Sequence, residues 1–234
     1  LVNQDIPQDH AFFAALYKYA EKNNIKYVLN GYNIATENTL PLAWRGPAAM
    51  DATLVRSVYK YYNKESIKNF PLLGYWKLNY LNNYLKKFVI VDLLNCLNYS
   101  KDEALRILKE KVDYKDYGGK HNESRFTKFH QNYFLIKKYG FEKRRAHLAS
   151  LVISGLMNRE QALVILKKPV YETPQQETED VEYIAKKLGL GLAEFDSILK
   201  EEPRRLEFFK SSQVFHKKYE PLLNFLAKPV RLIK

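Results

Sequence analysis

The sequence has a single cysteine, few glycines and prolines, and no long apolar run. Cys96 alone excludes an internal disulfide and a zinc cluster built on several thiolates. The densest apolar stretch, Phe88 to Leu94, contains Asp92 and is far shorter than the ~20 residues that cross a bilayer. Because 46% of the 234 residues are hydrophobic, the chain can bury enough apolar surface to fold, which excludes intrinsic disorder. We therefore expect a folded cytoplasmic protein without a membrane span.

Carboxylates are scarce relative to cations, since 38 Lys and Arg face 26 Asp and Glu and the net charge is +12. Such an excess favours an anionic partner, whether a nucleic acid, a phosphate or an acidic sugar, and charge alone does not choose among them. Residues 115–147 contain nine Lys or Arg, three acids and three of the five His. The positive charge is therefore concentrated in one region.

Apolar spacing predicts alternating helices and strands in the first half of the chain. Phe12, Leu16 and Tyr19 recur at helical spacing within 8–23, and the apolar run 25–29 then predicts a short buried strand. A glycine directly after this strand permits a sharp turn. The other elements predicted here are helices over 50–61, 71–85 and from a capping Ser100 onward, and a strand over 88–91. This order is typical of an α/β domain, which we assign to residues 1–115.

The second half is predicted to be helical. Helices are expected over 123–138, 143–154 and 158–167, with loops at Gly140 and Gly155. Residues 169–178 have the composition of a linker and precede two or three short helices. We divide this half into a basic helical region, 116–168, and a linker with carboxyl-terminal helices, 169–234.

Two polar clusters are candidate sites. Ligands of open α/β sheets bind beyond the carboxyl ends of the strands, and residues 30–37 concentrate amide, hydroxyl and carboxylate groups there. Residues 116–126 combine a Gly-Gly turn with polar groups at a helix start, where free N–H groups attract anions. Helical spacing brings Glu123, Thr127 and His130 together and directs Arg125 elsewhere.

Other polar and aromatic residues are predicted to be structural. His10 and His216 lie among apolar positions, and the basic run 143–145 is more typical of a solvated helix face than of a site. Most tyrosines are expected in the core or at its rim, namely Tyr59, Tyr61, Tyr62, Tyr75, Tyr80 and Tyr84. The sequence contains no Ser-His-Asp pattern, zinc-ligand spacing or phosphate-loop lysine motif.

Three stretches carry a resemblance to a known family: DIPQDHAFFAALYKYAEKNNIKYVLNGYNIATE, DYGGKHNESRFTKF and KKYGFEKRRAHLASLVISGLMNREQAL. Between about Asp5 and Ile198, the chain closely resembles the N-acetyl sugar amidotransferases of bacterial surface-polysaccharide biosynthesis. That family is similar to the PP-loop ATP pyrophosphatases. The resemblance therefore implies a partial Rossmann-like adenine-nucleotide α-hydrolase sheet, followed by a helical carboxyl-terminal region.

The resemblance implies an activity and its cofactors. An acetamido group of a nucleotide sugar or acidic sugar would become an acetamidino group, with ATP and Mg²⁺ as cofactors. Ammonia would come from a partner glutaminase, and the product would enter lipopolysaccharide, O-antigen or related glycan biosynthesis.

The resemblance also implies site residues. The strand-end loop would face nucleotide or sugar through Gly31, Asn33, Thr36 and Glu37, with Glu37 as a candidate Mg²⁺ ligand. The candidates for contacting phosphate and sugar are Lys120, His121, Glu123 and Arg125, followed by Arg144 and Arg145.

One departure from the family concerns the phosphate loop. The SGGKDS-type loop and the cysteine-rich segment before it lie upstream in the family and are missing from this sequence. The turn 118–120 does not replace them, because no strand leads into it and no Asp-Ser follows. Because this loop is missing and the sequence begins at Leu1 without Met, we expect a carboxyl-terminal fragment that is inactive without the missing segment.

Two alternatives remain open. A basic nucleic-acid-binding module would use the positive charge together with the interleaved Phe126, Phe129, Tyr133 and Tyr139. A non-catalytic scaffold would dock a partner through the carboxyl-terminal helices.

Overall fold

The computed structural model describes residues 6–37, 39–41, 44, 49–79, 85, 87–97, 99–115, 122, 124–215 and 218. In chain order its helices and strands are α1 (Ile6–Lys22), β1 (Tyr27–Asn30), α2 (Ile34–Glu37), α3 (Ala52–Asn63), α4 (Tyr75–Asn79), β2 (Val89–Asp92), α5 (Lys101–Val112), α6 (Arg125–Phe129), α7 (Leu135–Tyr139), α8 (Lys143–Ile153), α9 (Arg159–Lys167), α10 (Pro174–Lys187) and α11 (Leu192–Lys200). A π-helical turn, His130–Phe134, joins α6 to α7. The fold is mixed α/β and mostly helical.

Strands β1 and β2 pair in parallel, from Tyr27 opposite Val89 to Asn30 opposite Asp92. Parallel strands require a crossover connection, which here contains α2, α3 and α4. Both predicted strands are confirmed, and each begins one or two residues later than expected. In the described part of the chain, the sheet consists of these two strands.

The expectation that the first strand is buried throughout is wrong. Val28 is 9% exposed and packs in one cluster with Tyr17 and Phe88, whose rings stack with centroids 5.1 Å apart. Tyr27 and Leu29 are each 66% exposed. Successive strand residues point to opposite faces, and α1 covers only the face that carries Val28.

Helix α3 packs against the carboxyl-terminal segment. Fully buried Leu54 shares an apolar cluster with Ile6 and Phe209. Buried Asp51 caps α3 by accepting hydrogen bonds from two of its first backbone N–H groups, and it also accepts the hydroxyl of Ser211 over 2.8 Å. The two ends of the described chain therefore share one core.

The second half is helical, as predicted. Helix α6, the π-helical turn and α7 follow one another without a break over the predicted 123–138 helix, and Phe129 packs there against Ile184 of α10 and Phe195 of α11. Gly140 and Gly155 have φ of 68° and 71° and follow α7 and α8. Glycine adopts this left-handed conformation without strain, so these two predicted helix ends are confirmed.

Two predicted boundaries are wrong. Helix α10 begins at Pro174, and the hydroxyl of Thr173 accepts the Gln176 N–H over 3.3 Å, so residues 174–178 are helical and not linker. A Thr cap followed by Pro at the first helical position is a helix start. Of the helix predicted over 71–85, residues 71–74 are not helical and α4 begins at Tyr75, and residues 80–84, with Tyr80 and Tyr84, lie outside the described residues.

His10 has the structural role that was predicted. Its ring is fully buried, with Nδ1 2.7 Å from the Ala49 carbonyl oxygen and Nε2 accepting the Leu73 N–H over 3.1 Å. This arrangement assigns the ring proton to Nδ1. His216 lies outside the described residues.

Candidate functional site

The carboxyl ends of β1 and β2 form a polar edge. Asn30 and Asp92 are the last residues of the two strands and lie opposite each other, and Asn30 Nδ2 donates to Asp92 Oδ1 over 2.8 Å. Asn30 Oδ1 in turn accepts the Tyr32 N–H over 3.3 Å. These bonds fix the start of residues 31–37, which we call the strand-end loop.

Asn33 joins the strand-end loop to the segment after β2. Its Nδ2 donates to the Leu94 carbonyl over 3.4 Å, and Asn95 Oδ1 accepts the Ile34 N–H over 2.9 Å. Asn33 is 5% exposed, and its Oδ1 has no hydrogen-bond partner among the described residues. A buried carbonyl oxygen without a donor costs about 1–3 kcal/mol. A ligand N–H or O–H at this atom would remove that cost.

The other predicted residues of the strand-end loop have different surroundings. Thr36 Oγ1 donates to the Asn33 carbonyl over 3.5 Å, and Glu37 ends α2. Gly31 does not adopt a positive φ, and a Cβ built on it meets nothing within 4 Å. The turn after β1 therefore does not use the conformational freedom that glycine permits.

Helix α8, from the second half of the chain, lies against the strand-end loop. Ser154 Oγ donates to the Ala35 carbonyl, and Ser150 Oγ accepts the Thr39 N–H, each over 2.9 Å. Ser150 is 1% exposed. Residues four apart lie on the same helix face, so both serines contact the loop region together. The sequence reasoning missed them, although hydroxyl residues at this spacing in an otherwise apolar segment were a usable signal.

Arg144 and Arg145 lie at the other end of α8. Ten residues separate Arg144 from Ser154, a distance of about 15 Å along the helix axis. Arg144 Nε and Arg145 Nε donate to the two carboxylate oxygens of Glu142 over 2.7 Å and 3.2 Å, and Arg144 also donates to the Lys168 carbonyl over 3.0 Å. The structure therefore does not bring these two predicted anion ligands to the strand-end loop.

Arg125 lies against α10. Its Nε donates to Asp180 over 2.7 Å, and its guanidinium lies 3.9 Å from the centroid of the Tyr183 ring. Both contacts engage the side chain within the fold and connect α6 to α10. The remaining predicted phosphate and sugar contacts lie outside the described residues, namely Lys120, His121 and Glu123.

A buried histidine occupies the π-helical turn. His130 is 6% exposed and stacks on Phe134 with ring centroids 5.4 Å apart, and its Nε2 has no partner among the described residues. Burial, together with the positive charge of Lys143, lowers the pKa of His130 to about 3. The ring is therefore neutral at pH 7.

The aromatic residues that motivated the nucleic-acid alternative mostly contact one another or neighbouring rings. Phe129 is 2% exposed and stacks on Tyr133 with centroids 5.1 Å apart, and Tyr139 stacks on Phe141 at 5.7 Å. Phe126 is 40% exposed. Stacking of nucleic-acid bases requires accessible ring faces, so this cluster offers little of the surface that such a module uses.

The described residues offer limited support for a metal site. They contain no group of three or more His, Cys, Asp or Glu that could hold a metal ion. Mg²⁺ is often bound by one or two carboxylates together with substrate phosphates. Glu37 is therefore not part of a protein-only metal site in this part of the chain.

A comparison with protein families gives a match in the second half of the chain. Residues 123–222 match the family model described as LPS biosynthesis protein WbpG-like, C-terminal domain. The matched region includes α8 and excludes the strand-end loop. Neither the curated proteins nor the solved structures give a significant match. Within the part of the chain that the structure describes, no helix is both long and apolar enough to cross a membrane. The family match supports a role in a surface-polysaccharide biosynthesis family.

Proposed function

We propose that the chain is the carboxyl-terminal part of an ATP-dependent N-acetyl sugar amidotransferase of surface-polysaccharide biosynthesis. It would help convert the acetamido group of a nucleotide sugar or acidic sugar into an acetamidino group. The family match over 123–222 supports the pathway class, and the resemblance of the wider sequence supports the reaction.

One observation carries the proposal: Asn33 Oδ1 is a buried acceptor without a partner in the described residues, at the carboxyl edge of a parallel strand pair. Ligands of open α/β folds bind at that edge. The atom would accept a hydrogen bond from an N–H or O–H of the nucleotide or sugar. The surrounding bonds of Asn33 Nδ2 and Asn95 hold the acceptor in place before the ligand arrives.

The chemistry explains why a nucleotide is needed. An amide carbon is a poor electrophile and its oxygen is a poor leaving group. When bound, ATP would transfer AMP to that oxygen and release pyrophosphate, after which ammonia displaces AMP from the carbon. The contribution of this chain would be to hold the acetamido group in line with the incoming nitrogen. Such orientation of two reactants greatly accelerates the reaction between them.

Two partners and one metal ligand complete the proposal. A glutaminase would supply ammonia, an upstream segment with the phosphate loop would bind the ATP phosphates, and Glu37 would contribute a carboxylate to the nucleotide-bound Mg²⁺.

The test compares Asn33→Ala with a matched control, Asn23→Ala, whose amide donates to the Tyr19 carbonyl at the exposed end of α1. Affinity for ATP and for a uridine-diphosphate N-acetylhexosamine is measured by calorimetry. We expect Asn33→Ala to lower the affinity for one of the two ligands about tenfold, because one hydrogen bond is lost. The control should leave both affinities unchanged.

Activity is tested with the upstream segment and a glutaminase added. Mass spectrometry follows replacement of the acetamido oxygen by nitrogen. Unchanged affinity for both ligands in a folded Asn33→Ala protein would remove the proposed contact. Absence of amidine product from nucleotide and acidic N-acetyl sugars, with all components present, would refute the reaction.

A further inference from the structure

A basic groove lies between α3 and residues 207–215. Two cavities of about 580 Å³ and 620 Å³ are present there and share the lining residues Thr53, Phe208, Phe209 and Lys210. The shared wall makes them one continuous depression, which we call the basic groove. Each half has the size of a typical small-molecule site.

The first half of the basic groove is lined by cations and contains no carboxylate. Arg56 and Lys60 are four residues apart on α3 and therefore lie on one helix face, and Lys210 contributes the third charge from the opposite wall. In the described part of the chain, these three side chains form no ion pair and no hydrogen bond. Like charges at this spacing slightly destabilise a helix, and a bound anion would offset that cost.

The opposite wall is fastened to α3. The Lys210 N–H donates to Ser57 Oγ over 3.0 Å, and Ser212 Oγ donates to Thr53 Oγ1 over 2.9 Å. Asp51 adds its bond to the Ser211 hydroxyl. The backbone of Lys210 is therefore held beside α3 before any ligand binds, so that ligand binding need not order this segment.

Accessible aromatic rings border the cations. Tyr61 and Phe208 are 46% and 56% exposed, and their rings meet edge to face with centroids 5.2 Å apart. The guanidinium of Arg204 lies 5.2 Å from the Tyr61 centroid and donates to the hydroxyl of Tyr62. A planar ring of a ligand can pack on such a surface, whereas a free phosphate cannot use it.

We infer that the basic groove binds a nucleoside diphosphate, with the diphosphate between Arg56, Lys60 and Lys210 and the base on Tyr61 and Phe208. In the first half, three cations without an acid match a group of two or more negative charges, whereas Glu207 lines the second half. The rings match the base. The inference rests on the proposed function only in taking a nucleotide sugar as the natural form of this ligand. The basic groove shares no residue with the strand-end loop.

The first experiment tests the charges. Binding of UDP, ADP and inorganic pyrophosphate to the 234-residue chain is measured by calorimetry at low salt. The double variant Arg56→Ala/Lys60→Ala is compared with Lys109→Ala/Lys111→Ala, which removes two exposed cations of α5. We expect at least tenfold weaker binding in the first and less than a twofold change in the second. Equal weakening in both would show non-specific charge attraction and overturn the inference.

The second experiment tests the rings. Phe208→Ala should lower the affinity for UDP or ADP at least threefold and leave the affinity for pyrophosphate unchanged. An equal effect on all three ligands, or no effect on any, would overturn the placement of the base. Tighter binding of single-stranded RNA than of UDP, lost in the Arg56→Ala/Lys60→Ala protein, would assign the basic groove to nucleic acid instead.

The outcomes separate this inference from the proposed function. If Asn33→Ala abolishes amidine formation and Arg56→Ala/Lys60→Ala binds UDP and ADP normally, nucleotide binding in the basic groove is refuted and the proposed reaction is supported. If the groove variants lose UDP binding and no amidine forms under any condition, nucleotide binding in the basic groove is supported and the proposed reaction is refuted.

Discussion

The carboxylate of Asp51 joins the start of α3 to the carboxyl-terminal segment, and its removal should be among the most damaging single substitutions. Oδ1 accepts the Thr53 and Leu54 N–H groups over 3.0 Å and 3.1 Å, and Oδ2 accepts the Ser211 hydroxyl and the Gln213 N–H over 2.8 Å and 3.3 Å. Asp51 is 1% exposed, so water cannot replace these bonds.

The expected magnitude follows from these four bonds. Loss of a helix cap costs about 1 kcal/mol, and a hydrogen bond to a charged group contributes about 1.5–3 kcal/mol. Because the bonds share one carboxylate, their energies do not add fully, and we expect Asp51→Ala to lower the free energy of unfolding by about 3–5 kcal/mol. Asp51→Asn keeps one acceptor oxygen and should cost about 2 kcal/mol. Ser211→Ala removes one bond and should cost about 1–2 kcal/mol.

Urea unfolding followed by circular dichroism measures these differences by linear extrapolation. Asp196→Asn is the control, because this exposed carboxylate pairs with Lys200 within α11 and should cost no more than about 0.5 kcal/mol. A loss below about 1 kcal/mol for Asp51→Ala would refute the reasoning. So would strict additivity of Asp51→Asn and Ser211→Ala, since residues that share a bond should be coupled.

Three further predictions follow from individual contacts. The pKa of His130 is about 3 in the fold and about 6.5 when unfolded, so the unfolded chain binds more protons as the pH falls below about 6.5. The free energy of unfolding therefore decreases with decreasing pH in that range. From pH 7 to 5, this decrease should be about 2 kcal/mol larger in the natural chain than in His130→Gln. Equal pH dependence of urea midpoints in both proteins would contradict the assignment of a buried neutral ring. Arg125→Met should lower the unfolding free energy by about 1–2 kcal/mol, because it leaves the mostly buried Asp180 unpaired, and Asp180→Asn in the same protein should recover part of the loss. Ser150→Ala should cost about 1–2 kcal/mol and speed hydrogen exchange at the Thr39 amide, while Ser197→Ala on α11 leaves that amide unchanged; unaltered exchange at Thr39 would show that the bond is not formed in solution.

The local elements of the fold were predictable from the sequence, because short-range signals determine them. Ser100 accepts the Glu103 N–H at the start of α5, as the capping pattern indicated, and Gly140 and Gly155 follow helix ends. The linker over 169–178 was mispredicted because glutamines and a proline were given more weight than the Thr-Pro start of α10. Local rules contained the right answer there.

The long-range contacts were not predictable in this way. Thr39 and Ser150 are 111 positions apart, and Asp51 and Ser211 are 160 apart, so no periodicity or spacing connects them. For the candidate site, sequence reasoning singled out the strand-end loop and Asn33, and their role in binding stays a prediction. It missed Ser150 and Asp51, because the value of a small polar residue depends on the partner that folding brings to it.

These long-range contacts bear on how the family match should be interpreted. The matched region, 123–222, is attached to the first half of the chain through Ser154 at the strand-end loop, Ser211 at Asp51 and Phe209 in the cluster with Ile6. Cut out alone, it would leave these hydroxyl groups and the apolar ring exposed. Because α8 packs against the loop that carries Asn33, any ligand bound at the strand ends contacts an edge that the matched region stabilises. The role of that region in surface-polysaccharide biosynthesis is therefore best sought in the two halves together.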